Sequence, residues 1–242
     1  MANNAAPTDD RPALLMTRPR ASAEDFVASL SEPLRAAVRV CHSPLMEIRA
    51  LGSLPDLSQV AAVIFTSANG VDFAGEGLGR PCHCVGDTTA ARATSRGWQV
   101  HTVSKNADSL VATLARLMPE GPLLHLSGRH QRGQIAERLT ALGIRTDAAA
   151  VYDQPLLPLS EEAQDLLSGP GVVLVPLFSP RTAAQFAGQA GTLRRVRVLC
   201  ISAAVAEPLQ HLPLEEIVVA AHPDGAAMRQ GLEMMMGKDT LP

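Results

Sequence analysis

Hydroxyl side chains recur where apolar, strand-like runs give way to helical patterns. Ser67 and Ser179 are the clearest cases, because each closes such a run and opens a helix. The same placement is predicted for Thr17, Thr89, Ser127 and Ser202. Any one of them is explained by helix capping alone, which stabilises a helix by about 1 kcal/mol. As a set, beside helix N-termini with free amides, these hydroxyls predict a surface that binds an anionic ligand.

A basic loop is a second candidate for anion recognition. Residues 128–133 read Gly-Arg-His-Gln-Arg-Gly and follow a predicted strand. Either Arg129 or Arg132 could bind a carboxylate through the paired N–H groups of its guanidinium. A solvated loop without a ligand is an equally simple interpretation.

Tyr152 is the only tyrosine in the chain. It lies in a segment, residues 148–159, that is predicted to run between two domains. A tyrosine at a strand end commonly packs its ring and hydrogen-bonds its hydroxyl to the backbone. Its predicted place between domains also makes Tyr152 a candidate to act on a ligand.

Motifs for several other chemistries are absent or misplaced. Residues 75–79 have the glycines of a dinucleotide loop but follow a predicted helix rather than a strand. The sequence has neither a Walker A motif nor a Gly-x-Ser-x-Gly nucleophile turn. Residues 82–84 (Cys-His-Cys) and 41–42 (Cys-His) have no second Cys-x-x-Cys pair to complete a tetrahedral metal site. We therefore expect buried cysteines and no metal.

Composition and charge exclude further classes. The 242 residues are 46% hydrophobic and 19% charged, as in ordinary globular proteins. A net charge of −3 argues against broad attraction to nucleic acid or to an anionic membrane. Residues 1–10 lack the basic and apolar regions of a signal peptide, and four cysteines are few for this length. These features predict a cytoplasmic protein with reduced thiols.

Short apolar runs alternate with helical periodicity along most of the chain, which predicts an α/β fold with parallel sheets. The predicted strands cover residues 13–17, 61–66, 82–85, 99–103, 123–126, 172–178, 197–201 and 217–220. The predicted helices cover residues 23–38, 88–96, 110–118, 135–142, 182–189 and 203–209, with short or terminal ones from 68 and 224. Two strand–turn–helix units repeat, since residues 63–70 resemble 175–182 and residues 84–90 resemble 200–206. The repeat predicts a diverged duplication and two similar domains.

Two extended, proline-bearing segments interrupt this alternation, at residues 40–51 and 148–159. If they run antiparallel, they form a two-stranded β connector between the domains. The first domain would then combine residues 11–42 with 157–242, and the second, inserted domain would cover residues 43–156. We expect two doubly wound parallel-sheet domains with the ligand held between them, because ligands bind at the carboxyl ends of parallel strands.

The order of these pieces resembles the uroporphyrinogen-III synthase family over residues 14–232. The matching pieces are Thr17-Arg18, residues 64–71, residues 85–90, Leu126-Ser127-Gly128 with Arg132, Val151-Tyr152 and Phe178-Ser179-Pro180. The resemblance implies two α/β domains joined by a β-ladder, with the site in the cleft. It also implies cyclisation of linear hydroxymethylbilane, with loss of water and inversion of the last pyrrole ring, and it implies no cofactor or metal.

The resemblance further implies which residues form the site. Tyr152 matches the family's tyrosine, which is thought to assist departure of the hydroxyl group. The turn at Ser202 lacks the Gly and Thr of the family pattern, so its contact is the least expected. The expected substrate contacts are Thr17, Arg18, Ser67, Ala68, Asn69, Gly86, Thr89, Ser127, Gly128, Arg132, Ser179 and Ser202.

The implied ligand is a linear tetrapyrrole with eight carboxylates. Neither nucleic acid nor a membrane is expected as a partner. A transient contact with porphobilinogen deaminase and a monomeric state are further expectations. The alternative is a non-catalytic two-domain module that binds an anionic small molecule, for example as a regulatory domain.

Overall fold

The computed structural model describes residues 11–52, 54–130 and 133–237. These residues divide into two compact units. The described residues up to Glu47 and those from Leu156 onward form the first unit, and Ile48–Pro155 forms the second. The chain therefore enters the second unit once, after Glu47, and leaves it once, after Pro155.

Strands and helices alternate along most of the described chain. The strands are β1 (Ala13–Met16), β2 (Arg39–His42), β3 (Arg49–Ala50), β4 (Ala62–Phe65), β5 (Pro81–Val85), β6 (Gln99–Ser104), β7 (Leu123–Gly128), β8 (Thr146–Asp153), β9 (Val173–Leu177), β10 (Val196–Cys200) and β11 (Glu216–Val219). The helices are α1 (Arg20–Ala28), α2 (Glu32–Ala37), α3 (Ala68–Asp72), α4 (Asp87–Ser95), α5 (Ala107–Leu117), α6 (Ile135–Ala141), α7 (Glu161–Ser168), α8 (Pro180–Gln189), α9 (Ala203–Ala206) and α10 (Gly225–Gly237). A short 3-10 helix, Glu207–Leu209, follows α9.

The first unit is built on a parallel sheet in the order β11-β10-β9-β1-β2. Both of its faces are apolar. Leu14 and Met16 belong to one buried cluster, whereas Ala13 and Leu15 belong to another. A parallel sheet buried on both faces needs helices on both sides, which gives a doubly wound unit. Because β1 pairs with β9, this sheet combines strands from before and after the second unit.

The second unit has a six-stranded sheet in the order β3-β8-β7-β4-β5-β6. All neighbours are parallel except β3 and β8. Phe65 packs on one face in a cluster with Trp98, and Ile64 packs on the other face in a cluster with Leu110. The predicted α/β class with parallel sheets is confirmed in both units.

The two segments predicted to form the connector include antiparallel pairing in each unit. In the first unit, Met46 forms an antiparallel bridge with Leu156. In the second unit, β3 pairs with the end of β8, so that Ala50 lies opposite Tyr152. The remaining parts of the segments belong to the sheets, because β2 lies beside β1 and β8 lies parallel to β7.

Two helices differ from the prediction. Residues 23–38 were expected as one helix but form α1 and α2, because Ser31 is extended and Pro33 occupies the first turn of the new helix. The sequence prediction missed α7 altogether. That helix begins after Ser160, whose hydroxyl accepts a hydrogen bond from the Ala163 amide. It buries Ala163 and Leu167, which are spaced four residues apart, against the first sheet.

A histidine is buried in the second unit. His83 on β5 is only 4% exposed, and its Nδ1 lies 2.9 Å from Thr102 Oγ1. Burial, assisted by the nearby His101, lowers the pKa of His83 from 6.5 to about 4. The neutral form is therefore favoured in the folded state, and the unfolded chain binds a proton first as the pH falls.

We predict that His83→Gln flattens the pH dependence of stability between pH 6.5 and 4. His83 stabilises the folded unit fully above pH 6.5, and this contribution declines as the pH falls, by on the order of 1 kcal/mol per pH unit. Urea unfolding followed by fluorescence of Trp98, the only tryptophan, reports on the second unit. The matched variant is His101→Gln, at an exposed position on β6, which should keep most of the slope. Equal slopes for wild type and His83→Gln would contradict the prediction.

Candidate functional site

The carboxyl ends of three neighbouring parallel strands form the candidate site in the second unit. Thr66 and Ser67 follow β4, Ser127 and Gly128 end β7, and Tyr152 lies near the end of β8. Since β7 pairs with both β4 and β8 in parallel, these ends lie at the same edge of the sheet. Residues far apart in the sequence are thereby brought to one place.

Ser67 has two roles that the sequence left as alternatives. Its extended backbone places it at the N-cap of α3, where its Oγ accepts a hydrogen bond from the Gly70 amide at 3.2 Å. The same Oγ lies 3.1 Å from Tyr152 Oη. Helix capping and contact with the candidate catalytic residue therefore occur together.

Tyr152 reaches Ser67 across an intervening strand. Neighbouring strands are about 4.8 Å apart, so residues on β8 and β4 are separated by roughly 10 Å. The tyrosine ring covers this distance and is only 6% exposed. It stacks on Phe73, with the two ring centroids 5.7 Å apart. The phenol is thus held by packing on its ring and by a hydroxyl at its tip.

Gly128 makes this reach possible. The β7–β8 pairing shifts register between Ser127 and Gly128, which places Gly128 opposite Tyr152. A Cβ atom on Gly128 would lie 2.7 Å from Tyr152 Cε2 and Cζ, which is closer than side chains pack. The Arg129 amide then donates to the Tyr152 carbonyl at 2.9 Å. Only a residue without a side chain leaves room for the ring.

A cavity of about 410 Å³ opens beside Tyr152. This volume lies within the usual range for small-molecule sites. Its lining combines hydroxyls, basic side chains and the start of α5. The lining residues are Thr66, Val85, Lys105, Asn106, Ala107, His125, Ser127, Gly128, His130 and Tyr152.

His125 lies on β7 between apolar neighbours and lines the cavity. Its Nε2 is 3.3 Å from Thr66 Oγ1. Burial lowers the pKa of His125 to about 4, although Glu137 opposes the shift. His125 is therefore a neutral imidazole near pH 7, able to donate from one ring nitrogen and accept at the other.

The remaining predicted residues of the second unit lie along the same sheet edge. Ala68 and Asn69 form the first turn of α3. Gly86 precedes α4 in a left-handed conformation with φ of 82°, and Thr89 is buried in the first turn of that helix. The capping role considered for Ser127 is wrong, because α6 begins after Gln134 and Ser127 lies within β7.

The predicted residues of the first unit form a separate group. The guanidinium of Arg18 lies over the Phe178 ring, 4.3 Å from its centroid. Burial lowers the pKa of Arg18, and the nearby Asp25 opposes this shift. Thr17 is buried at the end of β1. Ser179 caps α8 by accepting from the Thr182 amide at 3.1 Å.

Ser202 differs from Ser67 and Ser179. It is the N-cap residue of α9, but its side chain accepts no capping hydrogen bond among the described residues. Arg129 is the described arginine of the basic loop. Arg129 Nη1 lies 3.4 Å from Asp153 Oδ2, so this guanidinium faces a carboxylate of the protein itself. The predicted contact Arg132 lies outside the described residues.

Among residues 11–52, 54–130 and 133–237, no group of three or more His, Cys, Asp or Glu side chains is arranged to hold a metal ion. The four cysteines are free and buried. Within the same ranges, the helices are too short or too polar for any of them to cross a membrane.

Comparison with known proteins identifies the family. The sequence profile described as "Uroporphyrinogen-III synthase HemD" matches residues 29–230. The chain belongs to the uroporphyrinogen-III synthase family. A uroporphyrinogen-III synthase of Chlorobaculum parvum is 24% identical over 241 residues, which cover 90% of this chain and 97% of that protein.

Two solved structures of family members share the fold. The uroporphyrinogen-III synthetase from Helicobacter pylori superposes with a TM-score of 0.66 at 18% identity, covering 94% of this chain and 99% of its own. A mutant uroporphyrinogen III synthase from Thermus thermophilus gives a TM-score of 0.54 at 17% identity, with 94% and 99% covered. Family and fold together support the synthase, a cyclising lyase, over the non-catalytic binding module.

The sequence prediction of the site missed Lys105, Thr66 and His125. A signal for His125 was present, since an ionisable residue within the apolar run Leu123–Gly128 is unusual unless it has a role or a partner. Lys105 carried no signal of its own. It lies at this site because β6 ends and α5 begins beside the cavity.

We predict that Gly128→Ala destabilises the second unit by about 1–3 kcal/mol, because the added methyl group overpacks against the Tyr152 ring. Since Tyr152 is the only tyrosine, ¹³C labelling of tyrosine gives the ring signals of this residue alone. Those signals should shift in the variant. Gly188→Ala is the matched control, because a methyl group there meets nothing within 4 Å. Unchanged tyrosine signals in Gly128→Ala would show that the ring does not lie over Gly128.

Proposed function

We propose that this protein converts linear hydroxymethylbilane into uroporphyrinogen III, closing the macrocycle with loss of water and inversion of the last pyrrole ring. The observation that carries the proposal is the hydroxyl pair of Ser67 and Tyr152, 3.1 Å apart beside a cavity in a member of this family. The class of substrate, a small-molecule tetrapyrrole, follows from the family.

The hydrogen bonds around Ser67 suggest a direction for proton movement. The Gly70 amide donates to Ser67 Oγ, which leaves the Ser67 hydroxyl proton available for Tyr152 Oη. The Tyr152 hydroxyl proton is then free to be donated to a ligand. Such a chain of hydrogen bonds polarises its last member and makes the phenol a better donor.

In the proposed reaction, Tyr152 donates this proton to the departing hydroxyl group of the substrate. The carbon–oxygen bond breaks, water leaves, and the electron pair of the pyrrole nitrogen stabilises the cationic carbon that remains. That carbon then bonds to the α-carbon of the last pyrrole ring that already carries the bridge to the preceding ring. The older bond between this α-carbon and its bridge breaks, and the freed bridge carbon bonds to the other α-carbon of the same ring, which inverts the ring. A proton lost from the macrocycle in the final step can return to the phenolate, so that protons balance.

The rest of the task is positioning. Uncatalysed closure joins the ring ends without inversion, so the protein must hold the flexible chain in a productive arrangement. Hydroxyls and helix N-termini at the sheet edges suit a ligand with several carboxylates. We assign this role to Ser67, Ala68, Asn69, Gly86, Thr89, Ser127 and Gly128, and to Thr17, Arg18, Ser179, Ser202 and Arg132.

We further propose that the protein acts in the cytoplasm as a monomer. Its four free, buried cysteines suit a reducing compartment. The substrate closes spontaneously to the wrong isomer, which would favour a transient contact with porphobilinogen deaminase, the enzyme that supplies it.

A coupled assay tests the activity. Porphobilinogen and its deaminase generate the substrate, and oxidation of the product gives porphyrins that can be separated by isomer. We expect the type III porphyrin when this protein is present and type I when it is omitted. Type I alone in both reactions would overturn the proposed function.

We predict that Tyr152→Phe lowers the rate of type III formation by about 10²-fold, a typical contribution of a general acid. The fold should persist, because Phe keeps the stacking on Phe73. Ser67→Ala should give a smaller loss, together with a destabilisation of about 1 kcal/mol from the lost cap. Single-turnover rates and urea unfolding curves measure the two effects. Wild-type rates for Tyr152→Phe would remove the phenol from the mechanism.

A further inference from the structure

The cavity beside Tyr152 has a cationic side chain in its lining. Among the described lining residues, Lys105 is the cation, His125 and His130 are imidazoles, and none is an aspartate or glutamate. His130 lies 3.8 Å from Asp153, whereas Lys105 is exposed and has no ion-pair partner among the described residues. A cation without a protein partner at a cavity favours a negatively charged ligand group.

The start of α5 adds to this charge. Asn106 caps the helix and, together with Ala107, lines the cavity. The helix has 11 residues, and its N-terminus carries a partial positive charge. The acidic residue of its first turn, Asp108, is engaged elsewhere, because its carboxylate lies 2.9 Å from Arg138 Nη2.

His125 supplies an independent indication of a ligand. It lines the cavity and is only 1% exposed. Its Nε2 faces Thr66, but its buried Nδ1 has no hydrogen-bond partner among the described residues. Buried polar atoms are nearly always paired, so an unpaired ring nitrogen on a residue that lines the cavity supports a polar partner bound there.

We propose that this cavity is a carboxylate subsite, in which Lys105 pairs with an acetate or propionate group on one pyrrole ring and the His125–Thr66 pair hydrogen-bonds to the same ring or side chain. The identity of the ligand as a pyrrole rests on the proposed function. The cavity, at about 410 Å³, is large enough for one substituted ring. Because Tyr152 lines the same cavity, a ring bound there lies beside the phenol.

The first experiment uses a single ring as the probe. Porphobilinogen carries one acetate and one propionate group, and 2-(aminomethyl)pyrrole is the matched ligand without carboxylates. With ¹³C-labelled histidine, we expect porphobilinogen to shift the His125 ring signals, assigned by their loss in His125→Leu. We expect 2-(aminomethyl)pyrrole to leave them unchanged. Equal shifts with both ligands, or none with either, would overturn the carboxylate assignment.

Charge variants near the two ends of α5, which Lys105 precedes, test the role of Lys105. We predict that Lys105→Ala weakens porphobilinogen binding and raises KM for hydroxymethylbilane about five- to tenfold, whereas Lys105→Arg keeps most of the affinity. Arg116→Ala is the matched control, since this exposed cation lies near the other end of the same helix, roughly 15 Å away. Equal KM values for Lys105→Ala and Arg116→Ala would contradict the proposal.

Variants of His125 separate binding from stability. His125→Leu removes the unpaired Nδ1 but also the contact of Nε2 with Thr66 Oγ1, so the two effects on stability oppose each other and the urea midpoint should change little. Binding of porphobilinogen should nevertheless weaken at least fivefold, and His125→Gln should restore part of it. A merely structural histidine would instead lose stability and keep affinity.

The outcomes distinguish the two proposals. If the wild type forms the type III isomer but Lys105→Ala and His125→Leu bind porphobilinogen and substrate normally, the subsite is wrong and the synthase function stands. If the wild type forms only type I but the variants weaken porphobilinogen binding as predicted, the subsite stands and the synthase function is wrong.

Discussion

The parallel pairing of β4, β7 and β8 is the constraint on which the candidate site depends. The strands β4 and β7 are buried throughout, and β8 is buried at Val151 and Tyr152 near its end, so packing stabilises this part of the sheet. Its consequence is chemical, because pairing in register aligns the strand ends and brings Ser67 and Tyr152, 85 residues apart in sequence, into contact. The site therefore needs no dedicated scaffold beyond a well-packed sheet.

The contact between Ser67 and Tyr152 requires that β7, the middle strand, carry no side chain where the tyrosine ring crosses it. The Tyr152 ring lies over Gly128, and the shift of register at that point brings the two residues opposite each other. Shifts of this kind re-aim side chains at strand ends and are common near active sites. Three neighbours fix the position of the phenol. Gly128 lies beneath the ring, Phe73 stacks against it, and Ser67 contacts its hydroxyl group.

The sequence predicted what depends on local pattern. Apolar runs followed by helical periodicity located most strands, and the serine caps at Ser67 and Ser179 followed from their place between the two. Strand order is not encoded in periodicity, so the prediction could not bring Ser67 to Tyr152 or Lys105 to His125. The break between α1 and α2 was overlooked because the helical spacing continues across Pro33. The short helix α7 was overlooked because its segment follows an extended stretch.

The discontinuous first sheet has a consequence for synthesis on the ribosome. All the strands of the second unit lie within Ile48–Pro155, so that unit has its full set of contacts before β9 is translated. By contrast, β1 has only β2 beside it until β9 emerges, well over a hundred residues later. The apolar faces of β1 therefore lack part of their packing during that interval. Nascent chains that expose such surfaces are prone to misassociation. The second unit can thus fold before the first, although the chain of the first unit is synthesised first.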